Sequence, residues 1–267
     1  MSSRWKKVIA PVAVAAVLVA LWHLLTYGAA NEPAIAKTRF PTPWEVVLGF
    51  KHLLTTRPGE KAPQLVSSTV ASVFRVMAGF NLAMLLGIPL GLLMGWYAGT
   101  YRALNPLVQL LRPISPIAWI PIAILMFKND EPRSIFLIFV STIFPITTAA
   151  AAAVQNIPQV YIRSAANFGC DGWSLFKKVV LPASLPQILT GLRLALGVGW
   201  IVIVAAEMIA VRSGLGRLIQ DARDATGRLD LIVATMITIG AIGIGLDALV
   251  RRLENVDQIK WGYAKRG

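Results

Sequence analysis

At 267 residues, with 56% hydrophobic side chains and only 15% charged ones, the chain is too apolar for a water-soluble domain, where about a quarter of residues are charged. Its formal net charge of +13 does not point to nucleic acid, because no basic run is interleaved with aromatics. The cations sit between apolar stretches, where loops and anionic headgroups suit them. The single cysteine, Cys170, excludes an intrachain disulfide and any multi-cysteine metal site.

In chain order, residues 8–26, 79–98, 106–127, 135–154, 185–209 and 231–246 approach the roughly 20 apolar residues that a helix needs to cross a bilayer. The last is short, which places Asp230 and Asp247 near the interfaces. A spanning sheet would close into a barrel and alternate with period two; these runs are continuously apolar, so helices are the remaining solution. The expectation is an all-α polytopic membrane protein of about six transmembrane helices, one domain over 1–267. His23 and His52 lack metal-ligand spacing, and packing or surface roles suit them.

Arg4, Lys6 and Lys7 precede the first run, which reads as an uncleaved first span rather than a signal peptide because it is long and more spans follow. With Arg251, Arg252, Lys260, Lys265 and Arg266 behind the last run, the positive-inside rule puts both termini in the cytoplasm. Residues 28–64 then form an extracytoplasmic segment, with an interfacial helix starting at Pro43 and carrying Trp44, Val47, Leu48, Leu53 and Leu54. In the third run Pro106, Pro113, Pro116 and Pro121 accompany Arg112 and Trp119. Such a helix must kink or break, and its freed carbonyls must face protein or a wet cavity.

Between the fourth and fifth runs lies YIRSAANFGCDGWSLFKKVVLPASLPQILTGLR, residues 161–193, within a polar cytoplasmic loop over about 158–184. One short helix is expected over about 158–168, ended by a left-handed Gly169, and a second capped by Asp171. Trp173, Phe176 and Val180 make its apolar face, Lys177 and Lys178 its last turn, and Pro182 and Pro186 its end. Ionisable residues in or beside spans are the candidate translocation pathway, since a charge in hydrocarbon usually faces a bundle interior. They are Arg75, Arg112, Arg193 and Glu207, with Trp119 beside Arg112. Arg75, among Ser67, Ser68, Thr69 and Ser72, suits an anion vestibule. Arg193 suits a structural tie at the inner mouth, and Glu207 either the pathway or a salt bridge with Arg212 or another outer-loop arginine.

The loop resembles the hallmark of the permease subunits of type I ATP-binding-cassette importers: Glu-Ala-Ala, three residues, Gly, then Leu-Pro about a dozen residues later. Here Arg163-Ser164-Ala165, Gly169 and Leu181-Pro182 hold that spacing, with Arg163 replacing the acid and Ser164 the first alanine. TGLRLALGVGWIVIVAAEM (190–208), SGLG (213–216) and LRPISPIAWIPIAILMF (111–127) extend the likeness to the nitrate, sulfonate, taurine and bicarbonate branch. The resemblance implies a two-fold permease pair, here a homodimer in the plasma (inner) membrane. It further implies two cytoplasmic ATPase subunits gripping the coupling loop and an extracytoplasmic solute-binding protein. ATP and Mg would sit on the ATPase, and this chain would need no cofactor, in keeping with its lack of a GxxxxGK[ST] phosphate loop. The expected passenger is a small anion. KNDEPRSIFLIFV (128–140) resembles nitrate and bicarbonate members, and SGLGRLIQDARD (213–224) taurine and sulfonate members; nitrate is the first choice. A secondary ion-coupled transporter would show repeats and acidic or histidine relays, and an intramembrane enzyme a nucleophile with its base; neither pattern is evident.

Overall fold

The computed structural model describes residues 3–27, 40–56, 62–225 and 227–254. Among these the regular structure is helical: α1 (Ser3–Tyr27), α2 (Pro43–Leu54), α3 (Gln64–Trp96), α4 (Ala98–Leu111), α5 (Ile120–Met126), α6 (Asp130–Gln155), α7 (Gln159–Asn167), α8 (Gly172–Leu175), α9 (Leu181–Ile209), α10 (Leu215–Asp224) and α11 (Leu229–Glu254). Four unbroken helices among the described residues are long and apolar enough to span: Gln64–Trp96, Asp130–Gln155, Gly172–Ile209 and Leu229–Arg252. Exposed leucines, valines and isoleucines cover their outer faces, the surface expected where lipid is the solvent. α1 supplies a shorter apolar stretch, Ala13–Thr26.

The proline-rich third run is broken rather than merely kinked. α4 ends at Leu111, a short 3₁₀ turn spans Pro116–Trp119, and the two helical pieces meet at 87°. A proline ring removes one N–H and collides with the preceding turn, so four within sixteen residues leave no register in which the helix can continue.

α6 is the central post, with α3 along one side and α9 along another. Lipid offers no hydrophobic drive for helices to associate, so close backbone approach has to supply the attraction. The sequence provides it with small residues: Gly79, Gly87, Gly91 and Gly95 of α3 lie against Ile138, Thr147, Ala150, Ala151 and Val154 of α6. A Cβ on Gly91 would overlap the carbonyl of Thr147 and the Cβ of Ala150, neither of which can rotate away. Gly91→Val is therefore expected to lose about 1–3 kcal/mol to overpacking, read as a lower thermal midpoint of the detergent-solubilised protein.

α2 is held by a capping box between Thr42 and Glu45, with Pro43 in its first turn. Val46, Gly49 and Leu53 face the bundle. A Cβ on Gly49 would come 2.9 Å from the carbonyl oxygen of Asp230, so the helix lies tightly on the start of α11. Trp44, Val47, Leu48 and Leu54 point outward, as an interfacial helix requires.

Candidate functional site

Two constellations stand at opposite ends of α9. The first is the helical knob. α7 ends in a Schellman arrangement, with Cys170 N–H donating to Ala165 O at 3.0 Å and Gly169 N–H to Ala166 O at 2.9 Å. Gly169 takes φ +76°, the left-handed conformation expected of it. Asp171 occupies the N-cap position of α8, but its side chain makes no capping hydrogen bond. Gly172 follows at φ +51°, which turns the first N–H groups out of regular helical alignment with that cap. Arg163, Ser164, Phe168 and Asp171 are exposed on the knob, and Phe168 and Trp173 are 88% and 74% accessible.

The second knob helix was expected to stop at Pro182 and Pro186, and it does not. A π-turn over Phe176–Val180 links α8 to α9, with Leu181 N–H donating to Phe176 O five residues back. The widened turn re-registers the backbone just before Pro182, which then falls in the first turn of α9, where a missing N–H costs little. Gly172–Ile209 thus runs 38 residues as one apolar span. Val180 is fully buried, and Trp96 sits edge-on to Phe176 at 5.4 Å, itself stacked on Trp173 at 5.3 Å. These contacts seat the root of the knob on α3 while its tip stays open.

The second constellation lies at the far end of α9. Arg75 of α3 is fully buried, and its N–H donors all point at protein acceptors. Nε and Nη2 reach the carboxylate of Glu131 at 3.0 and 2.7 Å. Nη1 reaches Glu207 Oε1 and Ser213 O, both at 2.8 Å, and Nη2 reaches Ser213 Oγ at 2.6 Å. Glu207, also fully buried, has Ser72 Oγ 2.8 Å from each of its oxygens and accepts the Gly216 N–H at 3.0 Å. Ser72 Oγ in turn accepts the Leu215 N–H at 2.9 Å. A buried charge pair is tolerable only when its remaining lone pairs and protons are used, and here they are.

This network accounts for Ser-Gly-Leu-Gly at 213–216 residue by residue. Ser213 accepts from Arg75 through its hydroxyl and carbonyl oxygens. Gly214 sits at φ +111°, where a Cβ would overlap the Glu207 carboxylate, and a Cβ on Gly216 would overlap Val204 O. Leu215 is fully buried in the core.

The expected pathway residues are therefore not one group. Arg75 is not an open anion ligand, because its donors are spent on Glu131, Glu207 and Ser213. Glu207 pairs with Arg75 and not with Arg212, whose backbone N–H instead bonds Asp130 at 2.9 Å. Arg193, roughly 21 Å down α9 by helical rise, makes a bidentate pair with Asp247 of α11, which also holds Arg251 at 2.9 Å. Arg112 is exposed at the end of α4. Trp119 packs edge-on against Phe136 at 6.4 Å, with its indole N–H buried and without a partner among the described residues. Sequence reasoning missed Glu131, Ser213 and the role of Ser72.

Residues 87–255 match the model of the binding-protein-dependent transport system inner membrane component. The chain belongs to that family. Among its relatives, the nitrate import permease protein NrtB of Leptolyngbya laminosa is 38% identical over 88% of this chain and 82% of the relative. The bicarbonate transport system permease protein CmpB of Synechococcus elongatus is 42% identical over 70% and 67%. The taurine transport system permease protein TauC of Escherichia coli is 35% identical over 94% and 91%. The fold matches that of a chain of the MetNI methionine ABC transporter, with TM-score 0.65, 17% identity and coverage of 71% of this chain and 94% of that one. This is the type I importer permease fold, and the chain is a transport permease of the inner membrane.

Proposed function

We propose that this permease carries a small anion, nitrate first and then bicarbonate, taurine or an alkanesulfonate, inward in an ATP-driven importer. The chain pairs with a second copy of itself. Two cytoplasmic ATPases grip the exposed knob through Arg163, Ser164, Ala165 and the Gly169 turn, and an extracytoplasmic binding protein delivers the solute. Both termini lie in the cytoplasm, and ATP and Mg are held by the ATPase.

The observation that carries this reading is the continuity of Gly172–Ile209. A displacement of the knob is passed along one continuous helical run to Glu207 at its other end, and Glu207 is tied to α3 and to the 213–216 turn. Movement imposed at the ATPase face thus reaches the far end of the bundle as a rigid-body shift. Nitrate is placed first because residues 128–140, which open α6 beside Glu131, resemble the nitrate and bicarbonate members.

The test is ATPase activity of the reconstituted complex, given binding proteins loaded in turn with nitrate, bicarbonate, taurine or an alkanesulfonate. Stimulation and matching uptake with the nitrate-loaded protein are expected; stimulation by another solute reassigns the passenger. Failure of any ATPase to associate, with uptake following an ion gradient instead, overturns the importer reading in favour of an ion-coupled transporter.

A further inference from the structure

Beside the buried network, at the far end from the knob, a cavity of about 780 Å³ opens between the turn before α6 and the turn after α9. Its charged walls are Lys128, Asp130, Glu131, Arg133, Arg212 and Arg217. Counting formal charges alone suggests a mixed surface, but the pairing pattern separates the two signs.

Both carboxylates are already committed. Asp130 accepts from Arg133 Nη1 and from the Arg212 backbone N–H, each at 2.9 Å. Glu131 is bidentate with the buried Arg75. Arg133 is itself built into the frame, donating to the carbonyls of Ala210 at 2.6 Å and Phe127 at 3.0 Å, while its Nε stays buried with no partner among the described residues. Arg217 shares its charge with Asp221 one turn on. Among the described residues the side chains of Lys128 and Arg212 have no ion-pair partner, and both are exposed on the cavity wall. Glu131 shares the single charge of Arg75 with Glu207, which leaves that cluster one negative charge in excess; Lys128 and Arg212, contributed by separate turns, outweigh it, so the cavity is net positive.

We infer that this cavity is an anion-receiving vestibule, in which Lys128 and Arg212 hold a small oxyanion. The inference rests on the proposed import of an anion and assigns the residues that first meet it. A planar guanidinium matches the in-plane lone pairs of a small oxyanion, and the lysine ammonium adds a mobile point charge. A recess walled by apolar residues such as Ile124, Ile209 and Val211 focuses such a field and raises the local anion concentration. Since both cations are exposed, the effect must weaken as salt screens it. Arg133, through its hydrogen bonds to both turns, acts as a positioning residue.

The test uses the whole transporter in lipid nanodiscs and chloride as the probe, read by broadening of its NMR line, with nitrate as competitor. The wild type is expected to broaden the line, nitrate to reverse this, and Lys128→Gln/Arg212→Gln to lose most of the nitrate-sensitive part. The charge-conserving Lys128→Arg/Arg212→Lys should keep it, which separates loss of binding from loss of fold. Unchanged nitrate-sensitive broadening in the glutamine variant overturns the vestibule, even if the wild type imports nitrate. Wild-type broadening that the glutamine variant loses, in a complex that imports none of the four solutes, keeps the vestibule and sinks the transport reading instead.

Discussion

Arg75→Gln is expected to prevent the permease from accumulating as a stable membrane protein. Removing one partner of a buried ion pair costs about 3–5 kcal/mol, because the other charge is left uncompensated, and that is a large share of the 5–15 kcal/mol that typically holds a protein folded. Here Glu207 would keep only Ser72 and the Gly216 N–H, and Ser213 would lose the contacts that anchor its turn. Arg75→Lys should rescue little, since one ammonium cannot reproduce a planar fork reaching Glu131, Glu207 and Ser213 together. The double variant Arg75→Gln/Glu207→Gln should recover part of the loss. Both fully buried charges are then gone, and Glu131, whose side chain is 52% exposed, can be hydrated. The measurement is thermal midpoint and recovery of monodisperse protein from the membrane. A stable Arg75→Gln that has lost only uptake would restore the pathway role expected from the sequence.

How legible this was from the sequence depends on the distance over which each feature is encoded. The spans are properties of local composition: the runs at 79–98, 135–154, 185–209 and 231–246 each fall on an unbroken helix long enough to cross, whereas the first gives a shorter apolar stretch and the third a bent pair. The Gly169 turn is equally local, since a helix end needs one residue able to take positive φ. The break after Leu111 could be foreseen from its prolines, but its angle could not, because packing of Trp119 and Ile120 on α6 and α9 sets the direction. Pro182 misled for a related reason: proline forbids an interior helical position but not a first-turn one, and whether a π-turn precedes it depends on Trp96 and Phe176 packing beneath. The buried network was least legible. Arg75 meets partners 56, 132 and 138 residues away, and no local pattern relates them. The one available signal was Ser-Gly-Leu-Gly, whose two glycines at single-residue spacing inside a polar turn imply backbone pressed against something. The pressing group is Glu207.

Gly169→Val should abolish uptake while leaving the bundle intact. The position isolates conformation from packing, because a Cβ there would meet nothing within 4 Å. What changes is the backbone: at φ +76° an L-residue carries about 1–2 kcal/mol of strain, and a β-branched one more. Relief lies in turning residues 169–171 out of the left-handed region, which breaks the two bonds from Gly169 and Cys170 to the end of α7 and re-aims α7 against α8. The spans take no part in that relief, so insertion and thermal midpoint should match the wild type. Stimulation of the ATPase by loaded binding protein should vanish together with uptake. Gly169→Asn tests the cause, since asparagine enters the left-handed region readily, and it should retain most activity. Normal uptake by the valine variant would remove the knob from the coupling role. A valine variant that failed to insert would show instead that the turn is needed to build the bundle, and the ordering of α9 from its knob end would then precede its function.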